Sequence, residues 1–553
     1  MVKVPGAGKF DKIKNDMIVK WVGIPMSILI VVTAGACYNL FAYFQLIGSV
    51  KGYGSTTMTL IKYTVLLGYY LGLVPGFINR AFGDTLALFI AAIMAVISFT
   101  ALGFIVEADG LVVEFSMIIF LFTGAMSGGI ATIAAIVTPV KSFPKMAGIL
   151  IIVILIGYYK IAPYFEFSLR SAFFEDPDLK WYFIGVGVFQ AVIFALGGIV
   201  IKEVTLDDAI EGIVKDYDRM GLLAYVLLEV ILFCAFYIIS LIYENWFIGA
   251  ILFIVFIVLN FLAVGAAFGI VYSKAKSAKL SDINFKKDKR NEIKFETMIR
   301  TPKYLCLAFS SLLVIGITCT FSFNTFQIAL ALGQIDQADN FLDAFWGADM
   351  FARIAGGLGA YFFINSINGY KWTIGAGVIA ALGFGLALLT EPVGAVFLFL
   401  AVILIAFASG IFWVLVPSIV MEDAGETNFG LNWGFTLLLN VAGMLIFGEL
   451  FDYVYEWQAG DDSGKCSGTS CVLIQFIFFG ILGLIAAGLC YYALGEDEKG
   501  DDKKGKDKKG KKDDKKRGRG KSKDKGGKDK KAKSKSKSKS KSKSKKKSKP
   551  KNK

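Results

Sequence analysis

The sequence contains no histidine. That removes histidine proton relays, histidine metal ligands and every Ser-His or Cys-His catalytic arrangement. Charge is scarce as well: Asp, Glu, Lys and Arg make up 19% of 553 residues, against 55% hydrophobic residues and a mean hydropathy of +0.60. A chain so poor in charge and so rich in long apolar runs is a polytopic membrane protein rather than a soluble enzyme. Cysteine is sparse, with seven in all. Cys37, Cys234, Cys306, Cys319 and Cys490 stand singly in apolar segments and read as packing residues. No nucleotide-binding loop, metal cluster or nucleophile–base constellation is present, so no cofactor is expected. A cleavable signal is not expected either, because the first apolar run is longer than a signal core.

The formal net charge of +14 is misleading. From Glu496 to Lys553 there are 30 Lys and Arg against 10 Asp and Glu, so the rest of the chain is slightly acidic. The basic character belongs to a Lys/Ser/Gly/Asp-rich tail ending in alternating Lys and Ser. Such a segment cannot bury a core and is expected to be disordered. It offers a surface for anionic lipid, tunable by serine phosphorylation, or merely a solubilising extension. It gives no reason to expect nucleic-acid binding by the folded part.

What the chain has is apolar runs. Hydropathy predicts spans at 21–47, 57–79, 85–106, 112–138, 145–166, 181–202, 221–243, 246–272, 303–332, 341–364, 372–390, 393–421, 429–455 and 471–494. These fourteen group as six, two and six. The predicted organisation is a short N-terminus (1–20), a six-helix half (21–202), a linker (203–220), a two-helix hairpin (221–272), a basic loop (273–302), a second six-helix half (303–494) and the tail (495–553). Lys9, Lys12, Lys14, Lys20, Arg80, Lys141, Lys145, Lys215, Arg219, the basic loop, Lys371 and the tail fall on one side. Lys51, Arg170, Lys180 and Lys465 fall on the other. The asymmetry places both termini in the cytoplasm. The hairpin has few polar residues, Glu229 being the main exception, and a peripheral packing role is expected for it.

One run breaks the rule that charge stays out of lipid: Trp346-Gly-Ala-Asp349-Met-Phe-Ala-Arg353-Ile-Ala-Gly356-Gly357. Arg353 lies near the centre of a predicted span, midway through a ~30 Å hydrocarbon core. A lone arginine there costs about 2.5–3.5 kcal/mol on insertion scales and calls for a partner. Asp349 is one turn earlier on the same helical face. The pair is either a self-neutralised lock between helices or an anion-binding arginine with a titratable carboxylate beside it. Other polar residues in the spans are Tyr38, Asn39 and Gln45 in the first, Asn324 and Gln327 in the ninth, and a stripe of Asn432, Thr436 and Asn440 in the thirteenth. With Trp346 they are the candidates for orienting a solute. Lys62 and Lys160 can snorkel, Glu391 falls in a loop, and Glu449 and Asp452 sit near the outer end of their span.

Two six-helix halves with a mid-membrane site between them is the plan of the major facilitator superfamily. Within it the chain resembles the nodulin-like family. The resemblance rests on Gly35-Ala-Cys-Tyr38-Asn39-Leu-Phe-Ala-Tyr43, on Val137-Thr138-Pro-Val-Lys141-Ser-Phe143-Pro144-Lys145, and on Leu222-Leu-Ala-Tyr225-Val-Leu-Leu. Cys466 and Cys471 are similar to that family's paired cysteines before the last helix, which implies a disulfide if the compartment they face is oxidising. Met146-Ala147 stands where the family usually has Arg-Gly. Asn79-Arg80 is a poor match to the Asp-Arg loop of facilitators.

Asp349-x-x-x-Arg353 is similar to the Asp-x-x-x-Arg of monocarboxylate transporters, which implies an arginine for the substrate carboxylate and an aspartate taking part in proton coupling. The first-span lysine of that family is missing between Leu40 and Gln45, and so is a second basic residue late in the chain. One cation among amides suits a single carboxylate on a polar body, or a zwitterion. The expectation is therefore a monomeric all-α transporter of a small organic anion, by uniport, proton symport or exchange. An amino acid or sugar carrier with a structural Arg353, and a transporter-shaped sensor signalling through its tail, are the alternatives. The sequence does not say which membrane holds it.

Overall fold

The structure is a computed structural model describing residues 7–35, 47, 51, 55–108, 110–143, 145–159, 179–204, 217–232, 235, 246–277, 293–363, 368–390, 394–460 and 466–520. Among these residues there is no strand. Lipid cannot hydrogen-bond a backbone, so apolar runs of this length close every N–H onto their own helix. In chain order the helices are α1 (Ala7–Ala34), α2 (Ser55–Tyr70), α3 (Leu73–Phe82), α4 (Asp84–Ile105), α5 (Leu111–Ser142), α6 (Lys145–Tyr158) and α7 (Leu179–Val200). Then come α8 (217–232), α9 (Trp246–Ser277), the single turn α10 (Phe295–Met298), α11 (Pro302–Phe323), α12 (Thr325–Ala331) and α13 (Ala338–Phe362). The chain continues through α14 (Gly369–Ala387), α15 (Ala395–Ala424), α16 (Phe429–Ala459) and α17 (Ser470–Gly520).

Among the described residues ten stretches are long and apolar enough to cross a membrane, and the chain is an integral multi-pass membrane protein. Helix α13 is not among the ten, because Asp349, Arg353 and its glycines dilute its apolar character. The chain divides into two units, Met1–Glu496 and Asp497–Lys553. Of the tail expected to be disordered, the described residues, up to Gly520, are helical.

Burial along the chain carries a repeat. In the first, fourth and seventh members of the two six-helix sets, 78%, 72% and 67% of the apolar window is buried. In the third, sixth, ninth and twelfth the share is 44%, 39%, 44% and 44%. Every third helix is thus peripheral, with Ile93, Ile97, Phe104, Leu382, Ile477 and Ile481 turned outward, as lipid-facing surfaces require.

Two predicted spans are interrupted. The second breaks at Leu71-Gly72 between α2 and α3, and the ninth breaks at Asn324 between α11 and α12. Asn324 leaves helical geometry (φ −109°, ψ 18°) and its amide donates to the Thr320 carbonyl at 3.0 Å. Competition of this kind is how asparagine loosens a helix interior. Gly83, at φ 79°, supplies the left-handed residue that lets α3 turn directly into α4.

The hairpin turns Ile231, Ile254, Leu262 and Ile270 outward, in keeping with a peripheral place, and its first helix is anchored to the rest of the molecule by polar contacts. Asp218 pairs with Lys20 of α1, both buried, and Lys20 also lies over the Phe143 ring at 4.1 Å. Arg219 donates to the Tyr361 hydroxyl of α13. Tyr158 of α6 donates to Glu229. Helix α8 therefore bonds to both six-helix halves, through Asp218 and Arg219 of the predicted linker and Glu229 of the hairpin.

Candidate functional site

Helix α13 places Asp349 and Arg353 one turn apart, and both are sealed inside the molecule, at 0% and 1% exposure. Arg353 Nε donates to Asp349 Oδ2 at 3.1 Å, and Nη2 lies 3.0 Å from the same oxygen. Its Nη1 donates to the carbonyl of Ile156 at 3.1 Å. Ile156 belongs to α6 of the first half, and its carbonyl is the acceptor the guanidinium meets there. The guanidinium thus bridges the seam between the two halves.

Glycines make the approach feasible. A Cβ on Gly357 would fall 2.1 Å from Val153 Cγ2 of α6, and one on Gly410 of α15 would fall 2.2 Å from the Asp349 carbonyl oxygen. Only bare backbone lets α6 and α15 close on α13 at these levels.

Aromatic rings complete the surroundings. The guanidinium carbon of Arg353 lies 5.3 Å from the Trp413 ring centre, within cation–π range. Trp413 of α15 lies 5.4 Å from Tyr70, which lies 5.0 Å from Tyr69. Tyr159 is 5.5 Å from Tyr69, and its hydroxyl is 3.3 Å from that of Tyr70. The Tyr69 hydroxyl bonds Thr132 at 2.6 Å. A continuous set of rings thus runs from the first half to the arginine of the second. In the sequence its one trace is the Tyr69-Tyr70 doublet and a lone tryptophan in a very apolar run.

The predicted site residues scatter in role. Tyr38, Asn39 and Gln45 lie outside the described residues, as do Lys160 and Glu391. Gln327 is exposed. Asn324 spends its amide on its own helix. Asn440 accepts from Ser311 at 2.7 Å, tying α16 to α11 within the second half. Thr436 donates to the Trp433 carbonyl at 2.7 Å. Trp346 is half-buried against the apolar cluster of the second half. Asn432 is different: it is fully buried, and neither its Oδ1 nor its Nδ2 has a hydrogen-bond partner among the described residues. A buried amide left idle in this way is costly unless something visits it.

At the turn between α3 and α4, Asn79 donates to Asp84 at 2.5 Å, a contact the weak loop match did not predict. Cys466 and Cys471 form a disulfide.

Residues 20–270 match the family described as nodulin-like. A probable transporter, MCH1 of Yarrowia lipolytica, is 34% identical over 90 residues, 16% of this chain and 18% of that protein's length. The solved structure of the major facilitator superfamily proton:xylose symporter XylE, bound to 6-bromo-6-deoxy-D-glucose, aligns with a TM-score of 0.51 at 12% identity. It covers 87% of this chain and 95% of XylE. The chain has the major facilitator fold. In that fold the Arg353–Ile156 contact lies on the plane where the halves meet.

Proposed function

We propose that the chain is an alternating-access transporter of a small organic anion, with Arg353 as the carboxylate-binding residue. The observation that carries this reading is the buried guanidinium bonded to both halves at once, through Asp349 on its own helix and the Ile156 carbonyl on α6. A guanidinium carries five N–H groups in a fork that fits a carboxylate. A solute carboxylate arriving at Arg353 exchanges with Asp349 or with the Ile156 carbonyl. The first exchange frees Asp349 to take a proton, and the second loosens the seam. Either ties solute binding to movement of the halves. The rings of Trp413, Tyr70, Tyr69 and Tyr159 suit a flat or apolar body on the same solute. The nodulin-like match over 20–270 and the stretch shared with a probable transporter support transport as the activity.

One observation favours a second reading, an amino acid or sugar carrier in which Arg353 is structural: the contacts with Asp349 and Ile156 already neutralise and satisfy much of the group. The deciding experiment is uptake into proteoliposomes across a panel of carboxylates, amino acids and sugars, with and without a pH gradient. Wild type is compared with Arg353→Gln. Saturable carboxylate uptake that disappears in the variant is the expected result. Uptake of a neutral solute that survives the substitution overturns the assignment.

A further inference from the structure

Glu229 is a carboxyl-bearing side chain that the central pair does not use. It is 3% exposed on α8, well inside an apolar stretch of that helix. Its neighbours Val226 and Val230, with Val153, Ile154, Gly157 and Tyr158 of α6 and Ile354 of α13, surround a cavity of about 20 Å³. A space of that size holds about one water-sized molecule. The cavity therefore lies where hairpin, first half and second half converge.

The groups facing Glu229 are few. From α6 the Tyr158 hydroxyl donates to Oε2. From α9 the Asn260 amide is within hydrogen-bonding reach, and its Oδ1 takes the Tyr225 hydroxyl at 2.6 Å. From α13 the residue in contact is Ile354, whose neighbour Arg353 is occupied by Asp349 and Ile156. Helix α1 meets the hairpin next to Asn260 through Pro25, Ile28, Leu29 and Val32, all apolar. Lys20 and Arg219 lie at the other end of α8 and are engaged by Asp218 and Tyr361. No cation reaches Glu229 among the described residues, and its Oε1 has no hydrogen-bond partner there.

A buried carboxyl with hydrogen-bond donors on one oxygen, an idle second oxygen and no counter-charge has two states, neutral and ionised. Which one holds depends on whether water reaches it. We propose that Glu229 is a proton-binding site of the membrane region, separate from Asp349, at which one proton is gained from or lost to water entering the small cavity. Tyr158 is the positioning residue that reports the charge. It lies two residues beyond Ile156, whose carbonyl holds Arg353, so the protonation of Glu229 bears on the same stretch of α6 that closes the seam. The proposal goes beyond the solute-binding reading and does not depend on it.

The test uses the full chain in proteoliposomes with no solute added. Infrared difference spectra recorded across a pH titration follow the carbonyl stretch of a protonated carboxyl. A titrating band is expected in wild type. It should be lost in Glu229→Gln, kept in Asp349→Asn, and displaced in frequency and midpoint by Tyr158→Phe. A wild type without such a band, or a Glu229→Gln protein that keeps it whole, overturns the proposal. If Glu229→Gln does not fold, Tyr158→Phe decides, because it keeps the carboxyl and removes its donor: an unmoved band overturns the proposal. Carboxylate transport lost in Arg353→Gln bears on the solute site alone and leaves this result untouched.

Discussion

Arg353 and Ile156 come from different halves of the molecule, 197 residues apart, and are joined by a 3.1 Å hydrogen bond from guanidinium to backbone carbonyl. The acceptor is a carbonyl, so no substitution at Ile156 deletes it, whereas changing the donor does. Lysine keeps the charge but not the fork. Arg353→Lys is therefore expected to lose uptake nearly as completely as Arg353→Gln, and Ile156→Val to keep it. Initial rates in proteoliposomes, normalised to incorporated protein, check the contrast. A lysine variant at the wild-type rate would show that the fork geometry is irrelevant.

Gly410 tests the packing that places the pair. Its Cβ position lies 2.2 Å from the Asp349 carbonyl oxygen, a backbone atom that cannot swing aside. Gly410→Ala should push α15 from α13 and destabilise the protein by about 1–3 kcal/mol, the usual cost of overpacking. Thermal unfolding in detergent reads the loss. Gly375, with nothing within 4 Å of its Cβ position, is the matched control and should tolerate alanine.

Asn432 separates stability from activity. Its amide is buried with both polar atoms idle among the described residues, so the folded state gains little from it. Asn432→Ala is expected to leave the melting temperature unchanged or raise it, while lowering solute uptake. A variant that melts lower at unchanged uptake would assign Asn432 to the scaffold.

The Cys466–Cys471 bond closes a short loop, and chain-entropy reasoning gives about 2 kcal/mol for a ring of that size. The loop is also held by Gly468 donating to the Ala331 carbonyl at 2.7 Å and by the Tyr455 hydroxyl at 3.4 Å from the Cys466 amide nitrogen. Replacing both cysteines with serine should lower the melting temperature modestly and leave uptake intact. Melting curves with and without reductant, compared with the double variant, check it.

Removing 497–553 deletes the second unit and leaves the first whole. A carrier should keep its uptake rate after this deletion and lose binding to vesicles containing anionic lipid, at about 1 kcal/mol per surface lysine removed. A protein that signals through the tail should fail in its cellular role while still folding. Vesicle co-sedimentation and uptake, measured on the same preparation, distinguish the two.

By itself the sequence determined the membrane class, the all-α fold and the pairing of Asp349 with Arg353. Each depends on local spacing: run length against bilayer thickness, and one helical turn between two charges. The tertiary structure alone decided what those residues meet. The Ile156 carbonyl is invisible to residue type because every residue has one, and it matters only where α6 packs against α13. The ring set from Tyr69 to Trp413 and the bonds of α8 to Lys20, Tyr158 and Tyr361 join positions far apart in the chain, and hydropathy reads such residues merely as interruptions. Asn324 and Asn440 looked available by composition, but backbone and Ser311 contacts consume them. A polar residue in a span shows that something must satisfy it, and only the packing of the helices shows whether the partner is protein or a passing solute.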